Sequence, residues 1–371
     1  MKGIAVICAV TLACACAHDV SPLIDPDARD EVHFQAARAN YEAELFDLAV
    51  LEFDQFLVDF PSSVRYAEAW YLAGRCRYEL GLWDEATATL IEMRDANPAS
   101  PFAESAAYYV GRSEYEGGHL EEAAVELTAF EATYPDSEYQ DDARYYLGRT
   151  FYDRDLWTEA ITAFLHTLDI PDTGFFVAAA YYLGRARFET VDYTGAIADF
   201  QRALNAEPEG DFADNSQFYI GQSLYEAGSL AEAVPELERV EVVYPTSEYL
   251  DSARYYLGRC FYDRALYTEA IAPLERLLTL MTTLRDDGLF YLGRSHYEVG
   301  ALPQALTRMQ ELEAVVPVSS FADNSLYWQA RIHTDLTDCT AASAAVERLR
   351  TAFPTSEELP RAESYLAGHG C

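Results

Sequence analysis

Lysine is all but missing from this chain. Lys2 is the sole example, every other basic residue is arginine, and 26 basic against 62 acidic residues leave a formal net charge of −36. Nucleic-acid binding through counterion release needs a basic footprint, so this balance excludes it. Docking on anionic lipid head groups is disfavoured for the same reason. Long apolar runs are missing beyond the N-terminus, so nothing further along is suited to span a bilayer. Enzyme signals are missing too: the 7 histidines are scattered, with no His-Glu-x-x-His, no Gly-rich phosphate loop and no nucleophile elbow. What remains is ample core material. Half of the 371 residues are hydrophobic and 13% are aromatic, enough for two or three domains or one long repeat array.

The N-terminus reads as an address. Lys2 precedes an apolar run over 4–12 and then Ala13-Cys14-Ala15-Cys16-Ala17. A basic start, a short apolar stretch and small residues at its end make a secretory signal. The cysteines resemble the lipobox of bacterial lipoproteins, which implies acylation of Cys16 or Cys14; the alternative is ordinary cleavage after Ala17 and a soluble periplasmic protein. The expected organisation is a signal peptide over 1–15, a tether over 16–30 carrying Pro22 and Pro26, nine repeats over 31–354 and a capping half-repeat over 355–371.

The repeats announce themselves through Tyr-Tyr-Leu-Gly-Arg. Its glycines stand at Gly74, Gly111, Gly148, Gly184, Gly221, Gly258 and Gly293, 35–37 residues apart, and the register extends to Ala37 and Ala330. Counting from this anchor, alanine occupies +12 in all nine copies, from Ala49 and Ala86 to Ala342. Proline occupies +24 in seven copies; Pro171 comes one residue early and the seventh copy has none. Such strict periodicity signifies a solenoid.

Small or apolar residues at −5, −1 and +2, such as Ala69, Ala73 and Cys76, share one face of a first helix. Glycine at +7 in four copies marks its stop. Alanine at +12 with large apolar residues at +16 and +19 defines a second helix, which proline ends. Serine two residues after proline, as at Ser63 and Ser137, is positioned to N-cap the next first helix.

These offsets resemble the tetratricopeptide repeat (TPR), in a form about three residues longer than usual. This longer form is similar to repeats of bacterial envelope proteins, such as the lipoprotein partner of the β-barrel assembly complex and the cell-division coordinator of the Tol–Pal system. The resemblance covers about residues 31–368. It implies an all-α TPR solenoid, a right-handed superhelix of nine hairpins plus a capping helix, acting as a non-enzymatic scaffold or adaptor in the periplasm. It would be tethered to the outer membrane and bind an envelope protein or peptide segment. The alternative is a periplasmic chaperone or outer-membrane-assembly subunit handling exported chains. No cofactor, metal, nucleic acid or small-molecule substrate is expected, and the membrane would be met only through an N-terminal lipid.

The candidate binding surface is a set of rows on the first helices. Arginine stands at +1 in eight copies, Gln222 being the exception. An acid stands at +5 in all nine, Tyr or Phe at +4 in eight, and an aromatic residue at −3 throughout. The resemblance places this side in the concave groove, which would be lined by Tyr71, Arg75, Tyr78, Tyr108, Arg112, Tyr115, Tyr145, Arg149, Tyr152, Arg185, Tyr225, Arg259, Tyr262, Arg294 and Tyr297. Two readings stand. Either the rows are inter-repeat packing, with arginine stacked on tyrosine, or they form an aromatic trough for a peptide. Cys76 and Cys260 occupy the small +2 position and read as buried thiols. The register leaves Cys339 and Cys371 as the pair that a cap-stapling disulfide would join.

Overall fold

The computed structural model describes residues 29–170, 173–280, 282–315 and 321–371. The stretch expected to be a signal peptide, Cys14, Cys16 and the expected tether up to residue 28 lie outside them. Among the described residues there are nineteen helices and no strands. Two compact units divide after Gly174.

The first unit holds four hairpins. Repeat 1 is α1 (Arg29–Glu42) with α2 (Phe46–Asp59), and repeat 2 is α3 (Tyr66–Glu79) with α4 (Trp83–Ala96). Repeat 3 is α5 (Ala103–Glu116) with α6 (Leu120–Thr133), and repeat 4 is α7 (Gln140–Asp153) with α8 (Trp157–Leu168). The second unit opens with α9 (Phe176–Glu189), α10 (Tyr193–Ala206), α11 (Ala213–Glu226) and α12 (Leu230–Val243). It continues through α13 (Leu250–Asp263), α14 (Tyr267–Leu277), α15 (Arg285–Glu298), α16 (Leu302–Val315), α17 (Ala322–Asp335) and α18 (Cys339–Ala352), and closes with α19 (Glu358–Gly368).

Within a repeat the glycine anchor is a contact surface. A Cβ on Gly148 would lie 2.6 Å from the ring of Phe164, its own +16 residue, so only hydrogen lets the two helices close. Between repeats, the small face of the incoming first helix meets the large side chains of the preceding second helix. Ala69, Ala73 and Cys76 pack with Phe53 and Phe56, all of them buried.

The first helices end in one way nine times over. Position +7 is left-handed in every repeat, at Gly81, Gly118, Gly228 and Gly300 and equally at Glu44, Asp155, Val191, Ala265 and Thr337. The amide of Leu82 donates to Arg77 O and that of Gly81 to Tyr78 O, the paired bonds of a Schellman stop. Glycine thus marks four of nine identical stops.

The serine caps differ from expectation. The Ser63 and Ser137 Oγ atoms accept from the amides of Arg65 and Tyr139, just before α3 and α7, and neither helix has a side-chain cap bond. These hydroxyls build a turn one step earlier. Two serines of this row also donate back to the preceding repeat, Ser63 to Asp30 at 2.5 Å and Ser356 to Asp323 at 2.7 Å. The irregular seventh repeat keeps this link through Thr282, which bonds Asp251 at 2.6 Å. Its missing residues come from the end of the second helix, since α14 has 11 residues where α12 has 14.

At the C-terminus, Ala362 and Leu366 of α19 complete a core with Leu326, Ala330, Val346 and Leu349. Cys339, the first residue of α18, is disulfide-bonded to Cys371, with their Cα atoms 5.1 Å apart. Cys76 and Cys260 are free and buried, and burial pushes both thiols up to about 12, so they stay protonated and inert.

Candidate functional site

The rows on the first helices meet through arginine. The guanidinium at +1 bonds the hydroxyl at −3 on its own helix, Arg112 to Tyr108 at 2.9 Å, Arg259 to Tyr255 at 2.9 Å and Arg75 to Tyr71 at 3.2 Å. Arg185 and Tyr181 repeat the bond at 3.1 Å, and Arg149 and Tyr145 at 3.4 Å. One turn later the same group meets the +5 acid, Glu79 for Arg75 at 2.7 Å and Glu116 for Arg112 at 2.9 Å.

Six of the arginines also cross to the next repeat within their unit. Their guanidinium groups lie flat over the aromatic ring at −2: Arg75 is 3.6 Å from the centroid of Tyr109, Arg112 3.5 Å from Tyr146, Arg185 4.3 Å from Tyr219 and Arg259 4.1 Å from Tyr291. Arg294 covers Trp328 at 4.6 Å, and Arg331 covers Tyr365 of the cap at 4.6 Å. That −2 row is absent from the expected site residues. Its signal is the second tyrosine of Tyr-Tyr-Leu-Gly-Arg, of which the expected set takes only the first.

The +4 tyrosines close the network. Tyr78 stands edge-on to Tyr109 at 5.1 Å and accepts from Arg112 at 2.8 Å. Tyr115, Tyr225 and Tyr297 donate to the +5 aspartates of the following repeats, Asp153, Asp263 and Asp335, at 2.6–2.9 Å. Tyr262 meets Tyr291 at 5.1 Å and Arg294 at 5.3 Å, while Tyr152 stands edge-on to Trp157 of its own repeat. Gln222 holds its place in the row by bonding Tyr256 Oη at 2.9 Å.

Eight of the nine −3 rings belong to the core, Tyr255 being only partly buried. Tyr71, Tyr108 and Tyr145 are 7%, 2% and 6% exposed, so a ligand on this face would meet other groups. The +4 tyrosines and +1 arginines are half-buried, while most of the +5 acids are exposed. Burial pushes the Tyr78, Tyr255 and Tyr262 hydroxyls up to about 12, keeping them neutral donors, and raises Tyr108 further. A desolvated guanidinium over a ring contributes up to about 2 kcal/mol, so these six arginines are joints between repeats. Among the described residues no group of three or more His, Cys, Asp or Glu is arranged to hold a metal.

A family model of outer-membrane lipoproteins, YfiO, matches residues 176–357, and a tetratricopeptide-repeat model matches residues 34–101. No curated protein matches the chain. Among solved structures, the apo form of RapI aligns with a TM-score of 0.52 at 10% identity, covering 91% of this chain and 98% of RapI. A tetratricopeptide repeat protein from Parabacteroides merdae gives 0.46 at 13% identity, covering 71% of this chain and 98% of its own. PilF of Pseudomonas aeruginosa gives 0.45 at 18%, covering 61% and 98%. The likeness to RapI shows the fold alone. With the repeat offsets, the nineteen helices and the two family matches together, the chain is an all-α tetratricopeptide-repeat solenoid that resembles envelope members of that class.

Proposed function

We propose that this protein is a non-enzymatic scaffold of the bacterial cell envelope that holds a partner protein or peptide segment along the first-helix face. The observation that carries this reading is the recurrence of an Arg–Tyr–acid set in eight of the nine repeats. An enzyme needs unlike groups converging on one reacting atom, whereas a row of like groups suits an extended partner. The arginines and the +4 hydroxyls are committed to the joints, so the +5 acids, most of them exposed, do the binding. The outer-membrane lipoprotein match supports a periplasmic location, with the N-terminal sequence supplying a lipid anchor at Cys16 or Cys14. The same match favours, as a second reading, a subunit that handles chains during outer-membrane assembly.

The test is affinity capture from solubilised envelopes. Wild type is run beside a variant carrying Glu79→Gln, Glu116→Gln and Glu226→Gln, which spares the stacked arginines. Wild type should retain one or two folded envelope proteins that the variant loses. Capture of many unrelated unfolded chains would point to the chaperone instead. Identical proteins on both baits would remove the ladder face from the function.

A further inference from the structure

Repeat 1 departs from its neighbours on a different surface. On α2, Leu48, Leu51 and Val58 are 48%, 65% and 74% exposed. At 100° per residue they form, with exposed Gln55, one stripe on the side opposite the buried Ala49, Phe53 and Phe56. The matching positions of repeat 2 carry Glu85, Ala88 and Asp95, and those of repeat 4 carry Glu159, Thr162 and Asp169. No other repeat has a large aliphatic residue at the position of Leu48. A general packing need would appear in every copy; this stripe is particular to one.

Carboxylates border the stripe on both sides: Asp47 and Asp54 along one edge, Glu52 and Asp59 along the other. Asp54 is engaged by Arg77 and Glu52 by Asn40, while Asp47 and Asp59 are exposed. The border decides the occupant. A second copy carries the same net charge of −36 and would bring its own carboxylates to the contact. Residues 17–28 of this chain hold three aspartates and two prolines, so they match neither the charge nor a helical shape. A bilayer surface would have to accept four carboxylates beside the three inserted aliphatic side chains. An amphipathic helix with an apolar stripe flanked by Lys or Arg satisfies both the leucines and the acids.

We propose that the Leu48–Leu51–Val58 face of repeat 1 is a docking site for a cationic amphipathic helix of a partner protein. It is separate from the ladder, which lies on the first helices, and does not depend on that reading.

The probe is a synthetic Leu/Lys helical peptide of about 18 residues, long enough to present two or more turns of stripe. It is titrated against the protein and against a variant carrying Leu48→Glu, Leu51→Thr and Val58→Asp, the residues of repeat 4. These side chains are exposed, so circular dichroism should be unchanged. The expected result is binding by wild type that weakens at least about tenfold in the variant, although the variant is two charges more negative. Equal or tighter binding by the variant would reduce the effect to general charge attraction and overturn the proposal. So would equal binding of a Leu/Glu peptide. A dimer, or attachment to neutral phosphatidylcholine vesicles, that disappears in the variant would overturn it in favour of self-association or a lipid surface.

Discussion

At the residue scale, the sharpest conflict between sequence and backbone is Val191. It is a β-branched residue held at φ 65°, where four other repeats place glycine. A β-branched side chain in that region stores on the order of 1–3 kcal/mol of strain. Its side chain is 65% exposed and contributes little burial in return. Val191→Gly is therefore expected to stabilise the protein by about 1 kcal/mol, after the greater entropy of glycine in the unfolded chain is subtracted. Denaturant unfolding of the two proteins measures this; an unchanged or lower midpoint would contradict the strained geometry. The arginines illustrate the opposite case, in which local agreement hides a distant purpose. Arg112 pairs with Glu116 within α5, yet its larger interaction is with Tyr146 on α7. Lysine could keep the first and would lose the flat stacking of the second.

At the element scale, the short repeats show what the hairpin tolerates. Residues are lost from the end of α14, while the turn that receives α15 keeps its hydroxyl, Thr282, bonded to Asp251. The inter-repeat joint is kept by chemistry even where the proline marker is gone. The cap is a weaker element, because α19 has neighbours on one side only. The Cys339–Cys371 bridge closes a span of 32 residues around it. Constraining a loop of that length gives about 3–4 kcal/mol in the chain-entropy model. Cys371→Ser should leave the bulk of the array folded while exposing Ala362 and Leu366. Hydrogen exchange should show the amides of α19 losing protection and those of α13 keeping it. Full protection of α19 in the variant, or equal loss in both helices, would deny the staple its local role.

At the scale of the whole molecule, charge dominates. A net −36 opposes the compact state, and the acids cannot all be relieved by 26 basic partners. Burial raises Asp142, Asp199 and Asp287 above the usual carboxylate value, with Tyr108 opposing for the first and Arg187 with Arg202 for the second. A raised folded-state pKa means that the native form takes up the proton first. The stability from these groups is full below the unfolded value and is lost as pH rises through the folded one. His296 acts the other way. Burial lowers it, so its contribution is present above about 6.5 and is lost as pH falls through its folded value. The melting temperature should therefore rise as pH falls toward the ordinary aspartate value of 3.8, and it should rise further in a His296→Gln variant. Adding salt near neutral pH should raise it too, by screening the repulsion. A fall in both proteins over the same range would overturn this account.

The sequence by itself determined the periodic content. Alanine at +12, glycine at the anchor and the small face at −5, −1 and +2 are requirements felt inside one hairpin or along one helix, so spacing alone exposes them. The pairing of Cys339 with Cys371 was also open to inspection, because the register brings the cap back to the start of α18. Only the tertiary structure decided what the arginines do. A guanidinium over the −2 ring of the next repeat is a contact across some 34 residues, fixed by how two hairpins lean together, and no helical period encodes that angle. The left-handed stops at Glu44 and Val191 were hidden because no glycine marks them; the same paired bonds hold the backbone there, from Leu45 N to Asn40 O and from Asp192 N to Arg187 O.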